Sequence, residues 1–265
     1  MSTPWIFICP STRGISNALL RHLIKTTPPQ VPILCTYRPS TSSPSALLSS
    51  LPSEAHARLR VEPLDLLSES SISSLSSGVA SSIFPAKTHH LALALTLPGA
   101  LVNAERASSQ IDYDAALETF KLNSLAPMML IKHFSRFLPS KTTELPAEPV
   151  RGLPGRATWV CTSARVGSVS DNKLGGWYSY RASKAALNSV VKTFDIELER
   201  ARGKNAMAVG YHPGTVKTDL SREFWQGRDM FSPEEAAEKM YNVVMGLEAG
   251  QRGRCWDWKG EEVLP

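Results

Sequence analysis

Short apolar runs alternate along this chain with segments whose apolar positions recur every three or four residues. Residues 5–9 (WIFIC) are apolar throughout, as a parallel strand covered on both faces should be. The polar turn 10–16 follows, and then Leu19, Leu20, Leu23 and Ile24 at helical spacing. Further strands are predicted over 31–37, 59–64, 90–95, 157–162, 206–211 and 253–258. Helices are predicted around 46–58, over 68–84, over 111–138 (Leu117, Phe120, Leu125, Met128, Leu130 and Ile131), over 180–202 and over 232–246. The last of these has Ser232 as N-cap and Pro233 at its first position. Residues 39–52, rich in Ser and Pro, and 139–156, with four prolines and two glycines, read as loops.

Strands alternating with helices imply an α/β fold: one doubly wound parallel sheet with helices on both faces. The chain of 265 residues shows no internal repeat of solenoid period, so residues 1–265 read as a single domain. A hydrophobic fraction of 42% supplies material for its core.

The net charge of +5 comes from scattered residues with no run of Lys and Arg. It therefore reads as a solvated surface hospitable to an anionic cofactor rather than as a nucleic-acid footprint. No apolar segment has the length of a membrane span or signal peptide. Cys9, Cys35, Cys161 and Cys255 each fall in or beside a predicted strand and form no C-x-x-C pair. Buried reduced thiols, and with them a cytoplasmic location, are expected. The six histidines have no ligand spacing, so no metal site is predicted.

The chemistry centres on Gly175 to Asn188, GGWYSYRASKAALN. Tyr180 and Lys184 stand four apart, and on a helix such residues share a face. An ammonium there is expected to favour the phenolate and lower the tyrosine pKa from its ordinary value of about 10. A tyrosine so tuned can pass a proton to or from a carbonyl or alcohol oxygen. The same spacing occurs on ordinary helix surfaces, so the rest of the chain must supply the companions of such a pair.

Those companions appear in order. Arg13-Gly14-Ile15 lies between the first strand and its helix, and Asp65 closes the third strand. Asn123 stands in the long helix, Ser163 follows the fifth strand, and Pro213-Gly214-x-x-x-Thr218 follows the sixth. Together these resemble the short-chain dehydrogenase/reductase family over nearly the whole chain. Residues 163–188 and the segment 254–260 (RCWDWKG) are similar in particular to its C-factor type of carbonyl reductase. The resemblance implies an enzyme in which Tyr180 is the general acid and Lys184 tunes it and holds the nicotinamide ribose. Ser163 would donate to the substrate oxygen, and Asn123 would anchor a proton-relay water. It also implies cofactor contacts from Thr12, Arg13, Gly14, Ile15, Asp65 (adenine), Gly99, Pro213, Gly214, Val216 and Thr218, the last two at the carboxamide. Pairing into a homodimer or homotetramer would run through helices 111–138 and 180–202.

An acid closes the second strand where NAD is preferred, whereas NADP needs a cation for its 2′-phosphate. Arg38 occupies that position and Arg13 lies nearby, so NADP(H) is expected over NAD(H). Two segments depart from the family: Pro10 and Ser16 replace the outer glycines of the first turn, and Thr96-Leu97-Pro98-Gly99 replaces Asn-Asn-Ala-Gly. Two functions stay open. One is an NADPH-dependent reductase interconverting a small carbonyl compound and an alcohol; the other is a non-catalytic nucleotide-binding sensor on the same fold. Loops 166–177, with Trp177 and Tyr178, and 220–230 are expected to wall the substrate pocket.

Overall fold

The computed structural model describes residues 1–225 and 229–265. Its centre is an eight-stranded sheet in the order β3-β2-β1-β4-β5-β6-β7-β8. The strands are β1 (Thr3–Cys9), β2 (Ile33–Tyr37), β3 (Leu59–Pro63), β4 (His89–Thr96), β5 (Ala157–Thr162), β6 (Ala206–His212), β7 (Cys255–Asp257) and β8 (Glu262–Val263). All neighbours are parallel except β7 and β8, which pair antiparallel. The expected all-parallel sheet is corrected at that edge. Asp257 Oδ1 accepts from the backbone N–H groups of Lys259 and Glu261 (2.9 and 3.0 Å), turning the chain back into β8.

β1 shows why a continuous apolar run was required. Trp5, Phe7 and Cys9 face one core, with Phe134 and Leu187, while Ile6 and Ile8 face the other, with Leu19 and Met240. Successive side chains of a strand point to opposite faces, so a strand covered by helices on both sides buries both rows and reads as a continuous apolar run. The first face is covered by α3 (Glu69–Ser74), α4 (Ser81–Ile83), α6 (Ala126–Phe134) and α7 (Tyr178–Arg202), with α5 (Tyr113–Phe120) packed against α7. The second is covered by α1 (Gly14–Thr26), α2 (Pro44–Leu48) and α8 (Pro233–Gly246). Ser232 caps α8 as expected, in a capping box with Glu235.

Three helical expectations change in detail. The helix expected over 68–84 is interrupted by a π turn, Leu75–Ala80, between α3 and α4. The segment expected around 46–58 divides into α2 and a 3-10 turn, Ser53–Arg58. The long helix 111–138 is interrupted by a π turn, Lys121–Leu125, between α5 and α6. Pro127, which has no N–H, cannot serve the carbonyl of Asn123 four residues earlier, and the wide turn sits where the regular ladder is broken. The four cysteines are buried and unpaired. Among the described residues no helix is long and apolar enough to cross a membrane.

The direction of chain travel reverses at β1, which is flanked by β2 on one side and β4 on the other. In open α/β sheets a ligand crevice lies beyond the carboxyl ends of the strands at such a reversal. The opposite end is fastened by Asp195 of α7. Its Oδ1 accepts from Ala208 N (2.9 Å) and its Oδ2 from Arg252 Nε (2.9 Å), with Asp195 2% exposed. Asp195→Ala would take the nearest carboxylate from a largely buried guanidinium, leaving it the exposed Glu199 at 3.6 Å and backbone carbonyls, and would leave a strand N–H without its acceptor, at a cost of about 3 kcal/mol. Urea unfolding should show a clear fall in midpoint, whereas Lys132→Ala, which removes an exposed partner of Glu69, should leave it nearly unchanged.

Candidate active site

The carboxyl ends of β4, β5 and β6 and the first turns of α7 converge on one place. Ser163 leaves β5 and is held to β6 by its N–H, which donates to Tyr211 O (2.8 Å). Lys184, on α7, is 1% exposed and its Nζ donates to Thr162 O (2.8 Å). Gly99, after β4, faces the same ammonium: a Cβ placed on it would lie 3.8 Å from Lys184 Nζ. Tyr180, one turn before Lys184, has that Nζ 5.9 Å from its ring centre.

The predicted electrostatic tuning of this pair is reversed in the folded protein. Burial pushes the Tyr180 phenol up to about 12 and pushes Lys184 down to about 8. Desolvation penalises the charged form of each group, and here it outweighs the attraction that the four-residue spacing suggested. Tyr180 is therefore a protonated phenol at neutral pH, while Lys184 keeps its charge only up to mildly alkaline conditions.

Asn123 lies fully buried in the π turn. Its Nδ2 donates to Ala100 O (2.9 Å) and Ser183 Oγ (3.0 Å), and its Oδ1 accepts from Ala100 N (2.8 Å). Both donors and the oxygen are thus engaged in clamping the loop after β4 to α7. Ser163 Oγ, 2% exposed, donates to Asn188 Oδ1 (2.6 Å).

Several residues that hold the site carry no local signal in the sequence. Glu105, 1% exposed, accepts from Ser179 Oγ (2.5 Å), and its backbone oxygen accepts from Trp177 N (2.5 Å). Gly175, Gly176 and Trp177 all have positive φ (64°, 64° and 52°). A side chain at Gly176 would come within 3.1 Å of that Glu105 oxygen. The left-handed conformation is uncommon for an aromatic residue. Here it sets the Trp177 ring edge-on to Tyr180 at 6.0 Å. Arg181 secures the preceding loop by donating to the carbonyls of Gly175, Gly176 and Val166, and Arg165 pairs with Asp171 and the buried Asp257. Only the paired glycines hinted at this turn; the partners depend on tertiary contacts between segments far apart in sequence.

The expected cofactor residues divide into two groups. Thr12, Arg13, Gly14 and Ile15 form the entry to α1, and Gly14 has φ +56° with its Cα against Thr218, whose Cγ2 would be 3.3 Å from a Cβ there. The turn is braced by side chains where the family has glycine. Ser16 Oγ donates to Arg13 O (2.9 Å) and Ser11 Oγ to Thr36 O (2.8 Å). The first turn of α1 has no acid and its N-cap, Arg13, makes no capping bond, which leaves its N–H groups for an anion. Arg38 is exposed at the end of β2 and, among the described residues, has no ion-pair partner; Arg13 lies 4.0 Å from Asp219.

Asp65 is exposed, with Oδ1 accepting from Leu67 N (3.0 Å). Pro213 and Gly214 follow β6, and Val216 bridges Phe231. Thr218 caps the 3-10 turn Asp219–Phe224. Within the expected pocket loop 220–230, residues 226–228 lie outside the described residues. The uncapped start of α1 and Arg38, which has no ion-pair partner among the described residues, fit a phosphorylated dinucleotide.

Gly167 is the tightest contact of the site. A Cβ there would lie 2.7 Å from the Lys184 carbonyl carbon and 2.9 Å from its Cβ. Gly167→Ala must push the serine loop off α7. It should lower the melting temperature and reduce kcat by about tenfold or more, as expected when catalytic groups are displaced; thermal melts and steady-state rates measure both.

No family model matches the chain. The C-signal protein of Myxococcus xanthus is 33% identical over 158 residues, covering 59% of this chain and 82% of that protein. The 1-hydroxy-2-glutathionyl-2-methyl-3-butene dehydrogenase of Rhodococcus sp. strain AD45 is 34% identical over 146 residues, 54% of this chain and 56% of that one. Among solved structures, the NADPH-bound carbonyl reductase from chicken fatty liver superimposes with a TM-score of 0.81 at 24% identity. The carbonyl reductase Sniffer of D. melanogaster does so with 0.78 at 21%. Both alignments cover 100% of each chain, and at these identities they speak to the fold. With one curated relative matched at a third of its positions over most of its length, and the fold shared end to end, the chain belongs to the short-chain dehydrogenase/reductase family of oxidoreductases.

Proposed function

We propose that the protein is an NADPH-dependent reductase that interconverts a carbonyl compound and an alcohol, with Tyr180 as the proton donor and, in reverse, the acceptor. The observation that carries this reading is the convergence of Tyr180, Lys184 and Ser163 at the carboxyl ends of β4 and β5, beside Gly99. NADPH, when bound, would supply the hydride for the carbonyl carbon. The phenol of Tyr180, kept protonated by burial, gives its proton to the oxygen as negative charge develops there. Ser163 stabilises that charge as a hydrogen-bond donor. Lys184 lends positive charge beside the phenol and fastens the nicotinamide ribose.

The Asn123 side chain is committed to Ala100 and Ser183. A water relaying protons from Lys184 would therefore be anchored by its main-chain carbonyl, which Pro127 leaves without a donor four residues on. Arg38 and Arg13 would hold the 2′-phosphate; Thr12, Gly14 and Ile15 the pyrophosphate; Asp65 the adenine; and Val216 and Thr218, beyond Pro213-Gly214, the carboxamide. NADPH-bound and NADP-bound carbonyl reductases of the same fold support the choice of cofactor. Exposed Leu117, Leu125 and Met128 on α5–α6 favour self-association through that face, which sedimentation would reveal.

Turnover separates a reductase from a sensor that only binds the nucleotide. Against a panel of aldehydes and ketones, Tyr180→Phe should lower kcat by about 100-fold or more while nicotinamide fluorescence reports unchanged NADPH binding. Arg38→Glu should weaken NADPH binding by about tenfold, roughly 1.4 kcal/mol, and leave NADH binding little changed. A mutant that kept its preference for NADPH would remove Arg38 from the phosphate site. The rate of reduction should fall as pH rises through about 8, because Lys184 is charged below that value and neutral above it. A rate flat to pH 10 would contradict the role given to its charge.

A further inference from the structure

Tyr180, Lys184 and Asn188 follow one another at four-residue intervals along α7, so they form one stripe. The first two have roles above; the third touches Ser163. Ser163 Oγ lies 2.6 Å from Asn188 Oδ1 and donates to it. A serine hydroxyl has one proton. While Asn188 takes that proton, Ser163 can offer a substrate only lone pairs, whereas a carbonyl oxygen gathering negative charge needs a donor.

Asn188 also carries the remedy. Its Nδ2 is buried and has no partner among the described residues. A half-turn about the amide's final torsion, which is broad and nearly two-fold, exchanges the oxygen and nitrogen. Nδ2 then donates to Ser163 Oγ, and the serine proton is free to swing towards the site. The exchange satisfies a buried N–H and leaves an under-used carbonyl oxygen in its place, which is the less costly of the two to leave unpaired. The other side chain at Ser163 Oγ is the buried thiol of Cys255, a weak donor and a weak acceptor, so direction is set chiefly by the amide.

We infer that Asn188 is a positioning residue that aims the Ser163 proton: the serine donates to the carbonyl oxygen when the Asn188 N–H supports the serine from behind. This rests on the reading of Ser163 as the substrate-oxygen donor.

Asn188→Asp keeps shape and acceptor but removes the N–H, and Asn188→Ala removes both ends and frees the hydroxyl to rotate. In carbonyl reduction, Asp at 188 should lower kcat by about tenfold or more and Ala by less, with NADPH affinity unchanged in both. The loss in the Asp variant should shrink at low pH, where a protonated carboxyl regains a donor. In a Ser163→Ala background either substitution should add little, because a residue acting solely through Ser163 has nothing left to act on. The Ala comparison in that background stands even if the Asp variant does not fold. A greater loss for Ala than for Asp, or an undiminished loss without Ser163, would show that Asn188 only fills space. An unsubstituted protein that binds NADPH but reduces no carbonyl would instead remove the reading of Ser163, and the role of Asn188 with it.

Discussion

Lys184 carries an ammonium to a place with 1% exposure, and burying a charge is costly unless it is hydrogen-bonded. The cost is met by Thr162 O at 2.8 Å and felt in a pKa held down near 8. That one contact requires the end of β5 and the second turn of α7 to sit at a fixed separation. Gly167, whose Cα rests on the Lys184 backbone, is what lets the serine loop pass close enough. Once β5 and α7 are so joined, Ser163 and Asn188 meet, and Tyr180 is buried beside them. The acid–base behaviour of the site is then decided more by exclusion of water than by the attraction between the tyrosine and the lysine.

A buried cation also demands that the segments around it do not yield. Irregular chain surrounds this site, and each piece is tied by a side chain from a regular element or from another loop. Asn123 holds Ala100, Arg181 holds Val166, Gly175 and Gly176, Glu105 grips Ser179 with its carboxylate and Trp177 with its backbone oxygen, and Asp257 holds Arg165. Several of these ties end on backbone carbonyls or N–H groups, which would otherwise be left unpaired where loops are buried. The same ties fix the left-handed Trp177 against Tyr180, conformational strain that the surrounding contacts sustain.

The strands, most helices and the stripe Tyr180–Lys184 were legible in the sequence because each is a periodic or local pattern. WIFIC could be placed between two helical layers from its composition alone, and Ser232-Pro233 marked a helix start. The π turn at Asn123 was not foreseen: residues 111–138 read as one helix, because their apolar periodicity runs on across the break. Nor was the antiparallel β8, because two residues are too few to show a period. Glu105 and Asn188 were hidden for a different reason: the partner of each lies on a separate segment, 74 and 25 residues away. The sign of the Tyr180 shift was misjudged because burial, a property of the assembled fold, outweighs a spacing.

The turn between β1 and α1 departs from the family pattern at two of its three glycines. Glycine at the ends of such a turn gives freedom of φ and room for close approach, and the first of these freedoms is gone at Pro10. What stands in its place is bracing. Ser11 both donates to and accepts from the backbone of Thr36, tying the turn to the end of β2. Ser16 turns its hydroxyl back to the Arg13 carbonyl rather than into the helix–strand contact. Gly14, the glycine retained, is the one with positive φ, and a side chain there would press on Thr218. The position that geometry makes indispensable is therefore the one kept, and the two replaced are those whose work hydrogen bonds can take over.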